Sequence, residues 1–293
     1  MPLLGGLFGG RAEIGPVVIP VPPSVPVAFR VYYVPGYPPM LPGDLRAAAA
    51  TWSAAHVEEP LRSALTPLFA SPELTYTDMA KTAFPPPLEV IKGAGAGEEE
   101  KARLDAAWQV AVVACPARLE VPVFGLWAAM AAGRSAALEL NGALFDAAAL
   151  RLTPIASYSD SIAGRGTVAV GDHVTSSSAT DGRGLVRWTT IGMVKFGLPE
   201  IEIQDAPGLI DLGPLLVALG QRLLDLLLTA NHGRPQPITE LVLEPVVKLA
   251  LGGRPAHVRV YFTPGTANLP GLLDVLPTPE FAGTQGDFLV SLF

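Results

Sequence analysis

The sequence predicts an α+β protein, with a mixed, mainly antiparallel sheet and helices packed on it. Two observations lead there. Strand-like and helix-like runs are interleaved without a strict βαβ alternation, which favours α+β over a doubly wound sheet. Nearly half of the 293 residues are apolar and only 16% are charged, so a chain of this size buries a substantial core.

Residues 1–26 are rich in glycine and proline and read as an irregular arm, with a short strand at Val17–Pro20. The rest, 27–293, reads as a single α+β domain, or as two packed halves meeting near 155–185. Val27-Ala-Phe-Arg-Val-Tyr-Tyr-Val is a strand stopped by Pro35-Gly36. Asp44 caps a helix through the alanine-rich segment to about Leu68. Pro60 removes a backbone donor and clashes with the preceding turn, so a break is expected near Glu59.

Residues 74–84 form a strand before Pro85-Pro-Pro. The run Gly93-Ala-Gly-Ala-Gly leads into a helix whose first turn carries Glu98, Glu99 and Glu100, favourable against the positive end of the dipole. Trp108–Ala114 is a continuous apolar run, the mark of a strand buried on both faces, and Pro116 is expected to end it. Val123–Leu140 reads as a helix closed by a left-handed cap at Asn141-Gly142, and Ala143-Leu-Phe-Asp as a strand and turn.

Residues 155–184 turn rich in Ser, Gly and Asp and read as loops, with one apolar stretch at Thr167–Val170. Two strands, Leu185–Val194 and Glu200–Ile203, are joined through Lys195, Gly197 and Pro199. Leu209–Ala230 is a long apolar helix stopped by Asn231-His-Gly-Arg-Pro235. Asp211, Gln221, Arg222 and Asp225 within it would be costly in lipid, so a buried core helix is expected and no membrane span. A strand pair or short helix fills 238–251, His257–Phe262 is a strand, and Asp287–Phe293 is read as another. Phe29-Arg-Val-Tyr-Tyr-Val-Pro-Gly36 echoes Val258-Arg-Val-Tyr-Phe-Thr-Pro-Gly265. Common strand-end turn chemistry explains this without a duplication.

The net charge of −7, the absence of any basic run and the few aromatic residues argue against nucleic acid. One cysteine, Cys115, allows no internal disulfide and fits a reducing cytoplasm; it reads as a small core residue. Arginine outnumbers lysine 15 to 5 and alanine is abundant, the bias of a GC-rich bacterial genome. The start is broken by glycine and proline before a signal h-region could form.

Candidate chemistry is sparse. Glu200 and Glu202 are two apart on a strand, so their carboxylates share one face about 7 Å apart. Such a pair can bind a cation or divide acid and base roles. Ordinary alternation, with glutamates outward and Ile201 and Ile203 inward, is the favoured reading, since one carboxylate pair without a third ligand is weak evidence. Asp172-His173 before Ser176-Ser-Ser is the one crowding of acid, base and hydroxyls, but no Gly-x-Ser-x-Gly elbow is present and a serine-rich loop accounts for it. His56, His173, His232 and His257 show no metal-ligand spacing, and no Walker or dinucleotide fingerprint occurs. Neither cofactor nor metal is expected.

Thr190-Ile-Gly-Met-Val-Lys-Phe-Gly-Leu-Pro-Glu-Ile-Glu resembles a recurring segment of an uncharacterised bacterial domain-of-unknown-function family. Pro85-Pro-Pro with its acidic helix start and the strand at 108–114, and the helix from Val123 into Asn141-Gly-Ala-Leu-Phe-Asp, are similar to the same proteins. The likeness spans about 74–205. Relatives often carry a histidine in the strand matching 107–114, which this chain lacks. The resemblance implies a fold and no reaction. The function expected is therefore a non-enzymatic interaction or structural protein. Its contact surfaces would be the arm at 1–26 and the apolar Phe288-Leu-Val-Ser-Leu-Phe, meeting a protein partner or a second copy. The alternative is a hydrolase-like enzyme in which Glu200, Glu202, Asp172 and His173 converge in one pocket.

Overall fold

A computed structural model describes residues 15–36, 39–87, 97–118, 123–164, 168–180, 184–206, 208, 210–234, 236–266 and 271–293. Residues 1–14 of the expected arm, the glycine run at 93–96, Thr167, Leu209 and Pro235 lie outside them. Among the described residues there are six α-helices and thirteen strands in mainly antiparallel sheets, an α+β fold.

The strands divide over three sheets rather than one. The first has the order β3 (Thr75–Ala80), β4 (Gln109–Arg118), β2 (Ser24–Tyr33), β5 (Ala143–Asp146), β6 (Arg151–Leu152), and all its pairs are antiparallel. The second has the order β11 (Val246–Leu251), β12 (Arg254–Thr263), β13 (Leu272–Leu276), β9 (Glu200–Ala206), β8 (Val186–Ile191), β7 (Thr175–Thr180), and only β13 and β9 run parallel. β1 (Val17–Pro20) pairs with β10 (Glu240–Leu243). The arm's last residues are thus part of the body, with Val17 and Ile19 buried. One contiguous apolar core joins residues of both large sheets, Val27 and Phe29 with Ile201 and Val258.

The helix break falls where Pro60 requires it. Helix α1 (Pro42–His56) ends, and α2 (Leu61–Ala70) restarts and carries Pro67 within it. Asp44 is one turn inside α1 instead of at its cap, with its Oδ2 accepting the Leu41 N–H at 2.9 Å. Helix α3 is Glu98–Ala106. Helix α4 (Phe124–Glu139) is packed by alanines at 128, 129, 131, 132, 136 and 137, small enough to bring its backbone close to the first sheet. Its end follows the sequence. Asn141 is left-handed (φ 47°), and the Gly142 N–H reaches back to Ala137 O at 2.8 Å.

Three expectations are corrected. Pro116, opposite Pro26, does not end β4, which continues to Arg118. Pairing with β3 stops at Ala114 and pairing of β2 with β5 starts only at Phe29, so neither proline withholds a needed ladder donor. Ser176–Ser178 lie in the edge strand β7 rather than a loop. The C-terminus is helical, α6 (Gln285–Ser291), because Thr284 and Asp287 form a reciprocal capping box. Phe288 and Leu289 are buried there, while Val290 and Phe293 are exposed.

The long apolar helix is α5 (Gly213–Asn231). It is the one described helix long and apolar enough to cross a membrane, yet Leu215, Leu216, Leu219, Leu223, Leu224 and Leu227 are all in the core. The two Arg-Val-Tyr strands occupy different sheets and connect differently: β2 leads into helices, β12 lies between two sequential antiparallel neighbours. Turn chemistry suffices for their likeness.

Candidate functional site

The alternation expected for 200–203 is not what the fold does. Glu200 and Glu202 are buried along with Ile201 and Ile203. β9 is an interior strand, and buried carboxylates persist where donors satisfy them. Glu200 Oε1 accepts the Gly192 N–H at 2.9 Å, and Oε2 accepts the Thr190 hydroxyl at 2.7 Å and the Met193 N–H at 3.3 Å. Thr190 Oγ1 in turn accepts the Ile201 N–H at 2.7 Å. Glu200 therefore caps the 3-10 turn at Met193–Phe196, which Gly192 enters at φ 120° and Gly197 leaves at φ 67°. Burial pushes its carboxyl up and these hydrogen bonds pull it back. Glu202 accepts from Gln204 Nε2 at 2.7 Å and lies 3.7 Å from the Arg187 guanidinium.

The same turn carries Lys195, read from the sequence only as part of the joint between two strands. Lys195 is 1% exposed and its ammonium donates to Asp146 Oδ2 at the end of β5. Asp146 Oδ1 accepts the Ala148 and Ala149 N–H groups, each at 3.0 Å. This buried pair ties the first sheet to the β8–β9 connection of the second.

His173 is buried edge-on against Trp127 (5.7 Å between ring centres) and Phe196 (6.0 Å). Burial first, then the cations of Lys195, Arg151 and Arg134, push its pKa down to about 3. The ring is therefore neutral when folded, while an unfolded histidine protonates near 6.5. Between those values the unfolded state binds the extra proton, so stability falls as pH drops below 6.5. Urea unfolding at pH 6.5 and pH 5.0 is expected to show a His173 contribution of about 1 kcal/mol per pH unit. His173→Phe should lose that slope, and identical slopes in the two proteins would refute the assignment.

A cleft of about 610 Å³ opens beside His173. One wall is the helix face Trp127, Met130 and Arg134, spaced three and four residues apart on α4. The others carry Glu100, Arg151, Ser157, Asp160, Ile162 and Asp172. Arg134 Nη1 donates to Asp160 O at 3.0 Å, and Arg151 donates to Asp172 O. Glu100 Oε1 accepts the Ile155 N–H at 2.8 Å. Burial pushes the Arg134 guanidinium down, against the pull of Asp160 and Asp172. Trp127 Nε1 and Arg134 Nε, both buried, have no hydrogen-bond partner among the described residues.

Asp172 and His173 thus stand together in the cleft, and Glu200 and Glu202 are not among its lining residues. Arg134 and Arg151 were missed. The available signal was Arg134 itself, a lone cation inside an alanine-rich helix. Cys115 is buried, and burial followed by Glu73 pushes its thiol up to about 11, an inert core position. No cluster of three acidic, histidine or cysteine side chains suited to a metal occurs among the described residues. Compared with protein-family models, curated proteins and solved structures, the chain matches none.

Proposed function

We propose that this chain is a non-enzymatic binding protein whose cleft takes a small ligand bearing acceptor oxygens, a carboxylate or a phosphate. The observation that carries this is the half-buried Arg134 guanidinium, which lines the cleft together with Arg151 beside the apolar faces of Trp127 and Met130. A guanidinium in such a cleft is suited to an anionic oxygen pair. Catalysis by the glutamate pair has less support, since Glu200 is committed to capping a turn. A bacterial cytoplasmic setting belongs to the same proposal, supported by the single thiol and the arginine- and alanine-rich composition. So does kinship with the uncharacterised bacterial family, supported by the segment at 190–202.

Calorimetric titration with short-chain carboxylates and inorganic phosphate tests it. At least one is expected to bind saturably, and Arg134→Met is expected to weaken it about tenfold to a hundredfold. Absence of saturable binding in both series, or an undiminished affinity in the variant, would remove the proposal.

A further inference from the structure

The cleft is not uniformly basic, and this decides what kind of anion suits it. Its cations are Arg134 on α4 and Arg151 on β6, whereas two carboxylates, Asp160 and Asp172, line the same cleft from exposed positions. Both lie close enough to Arg134 to act on its charge. A simple anion entering here gains the guanidinium but meets the carboxylates, and like charges facing each other across a site select against it. A ligand with an acidic end and a cationic end sets each of its charges against an opposite one. The apolar faces of Trp127, Met130 and Ile162 accommodate a short aliphatic connector between the ends.

We infer that the ligand is a small zwitterion of the amino-acid class, with its carboxylate against the Arg134 guanidinium and its ammonium toward Asp160 and Asp172. This rests on the binding reading above. It adds a preference that reading does not require: the ammonium contributes affinity rather than being a spectator. The rim carboxylates are specificity-determining residues, and Arg134 is the anchor.

The test is a matched series on the full chain. Glycine, 4-aminobutyrate and 6-aminohexanoate are titrated beside acetate, butyrate and hexanoate, and beside the corresponding alkylamines. At least one amino acid is expected to bind about three- to tenfold more tightly than its matched acid, the range two exposed ion pairs supply. The double variant Asp160→Asn/Asp172→Asn should erase that advantage while leaving the affinity for the acid undiminished. Asp160→Lys, which keeps a charged and solvated side chain at the rim, should turn the preference toward succinate. If acids bind as tightly as amino acids, or if the double variant keeps the amino-acid preference, the zwitterion inference fails and the binding reading survives. If neither acids nor amino acids bind, both fail together.

Discussion

Asp146→Asn is expected to lose about 3–5 kcal/mol of unfolding free energy, the usual consequence of removing one partner of a buried ion pair. Lys195 is 1% exposed and its ammonium meets Asp146 Oδ2. Asparagine keeps the side-chain oxygen that accepts the Ala148 and Ala149 N–H groups, so the turn after β5 is largely preserved and the loss reports on charge. The variant leaves an ammonium in the core with no counter-charge except the more distant Glu200, which also acts on Lys195. Burial already pushes the Lys195 pKa down, and Asp146 is what raises it again. Without Asp146 the folded-state pKa drops further below the unfolded value. The unfolded state then holds more protons across the interval between the two, so the variant's stability should recover as pH rises through it. Lys195→Met removes the cation, and Lys195→Met combined with Asp146→Asn should therefore be less damaging than Asp146→Asn alone. Urea unfolding of the three variants at pH 7 and pH 9 measures this. A loss below about 1 kcal/mol for Asp146→Asn would mean that the pair is solvated and the two sheets are not joined through it.

How much of this was legible in the chain depended on whether the determinant was local. The break before α2, the left-handed cap at Asn141 and the two-strand joint at Gly192–Pro199 follow from a few adjacent residues. The helical C-terminus was equally local, in Thr284 and Asp287, but its apolar run also suits a strand. The alternation Glu-Ile-Glu-Ile was read as one wet face and one dry face, which assumes that a carboxylate needs water. At Glu200 the donors come from Thr190, Gly192 and Met193, seven to ten residues back, and no periodicity reports them. The Lys195–Asp146 pair spans 49 residues and exists only because the two sheets meet. The cleft is similar. Its cations come from α4 and β6 and its carboxylates from the 155–173 region, so composition showed a serine-rich loop where the fold builds a wall. Arg134 was the exception, visible as the lone cation of an alanine-rich helix.

Gly125→Ala is expected to destabilise the fold by about 1–3 kcal/mol and to weaken whatever the cleft binds. A Cβ at Gly125 would lie 2.2 Å from Pro116 O and 2.7 Å from both Pro116 C and Ala117 Cα. All three are backbone atoms of β4, so no rotamer change relieves the contact, and α4 must retreat from the sheet. A control exists in the same molecule. Gly43 occupies the equivalent second position of α1, and a Cβ there has nothing within 4 Å. Gly43→Ala should stabilise by up to about 1 kcal/mol through backbone entropy alone. The same substitution thus has opposite signs at two helix starts, separated only by the nearness of β4. The displacement at 125 also moves Trp127, Met130 and Arg134, which belong to the next turns of one rigid helix, so stability and cleft affinity should fall together. Chemical unfolding of both glycine variants, with titration of the best-binding amino acid into Gly125→Ala, separates the possibilities. If Gly125→Ala were as stable as Gly43→Ala, α4 would not rest on β4 at this distance. If it were destabilised with undiminished binding, the α4 face would not be the anchoring wall of the cleft.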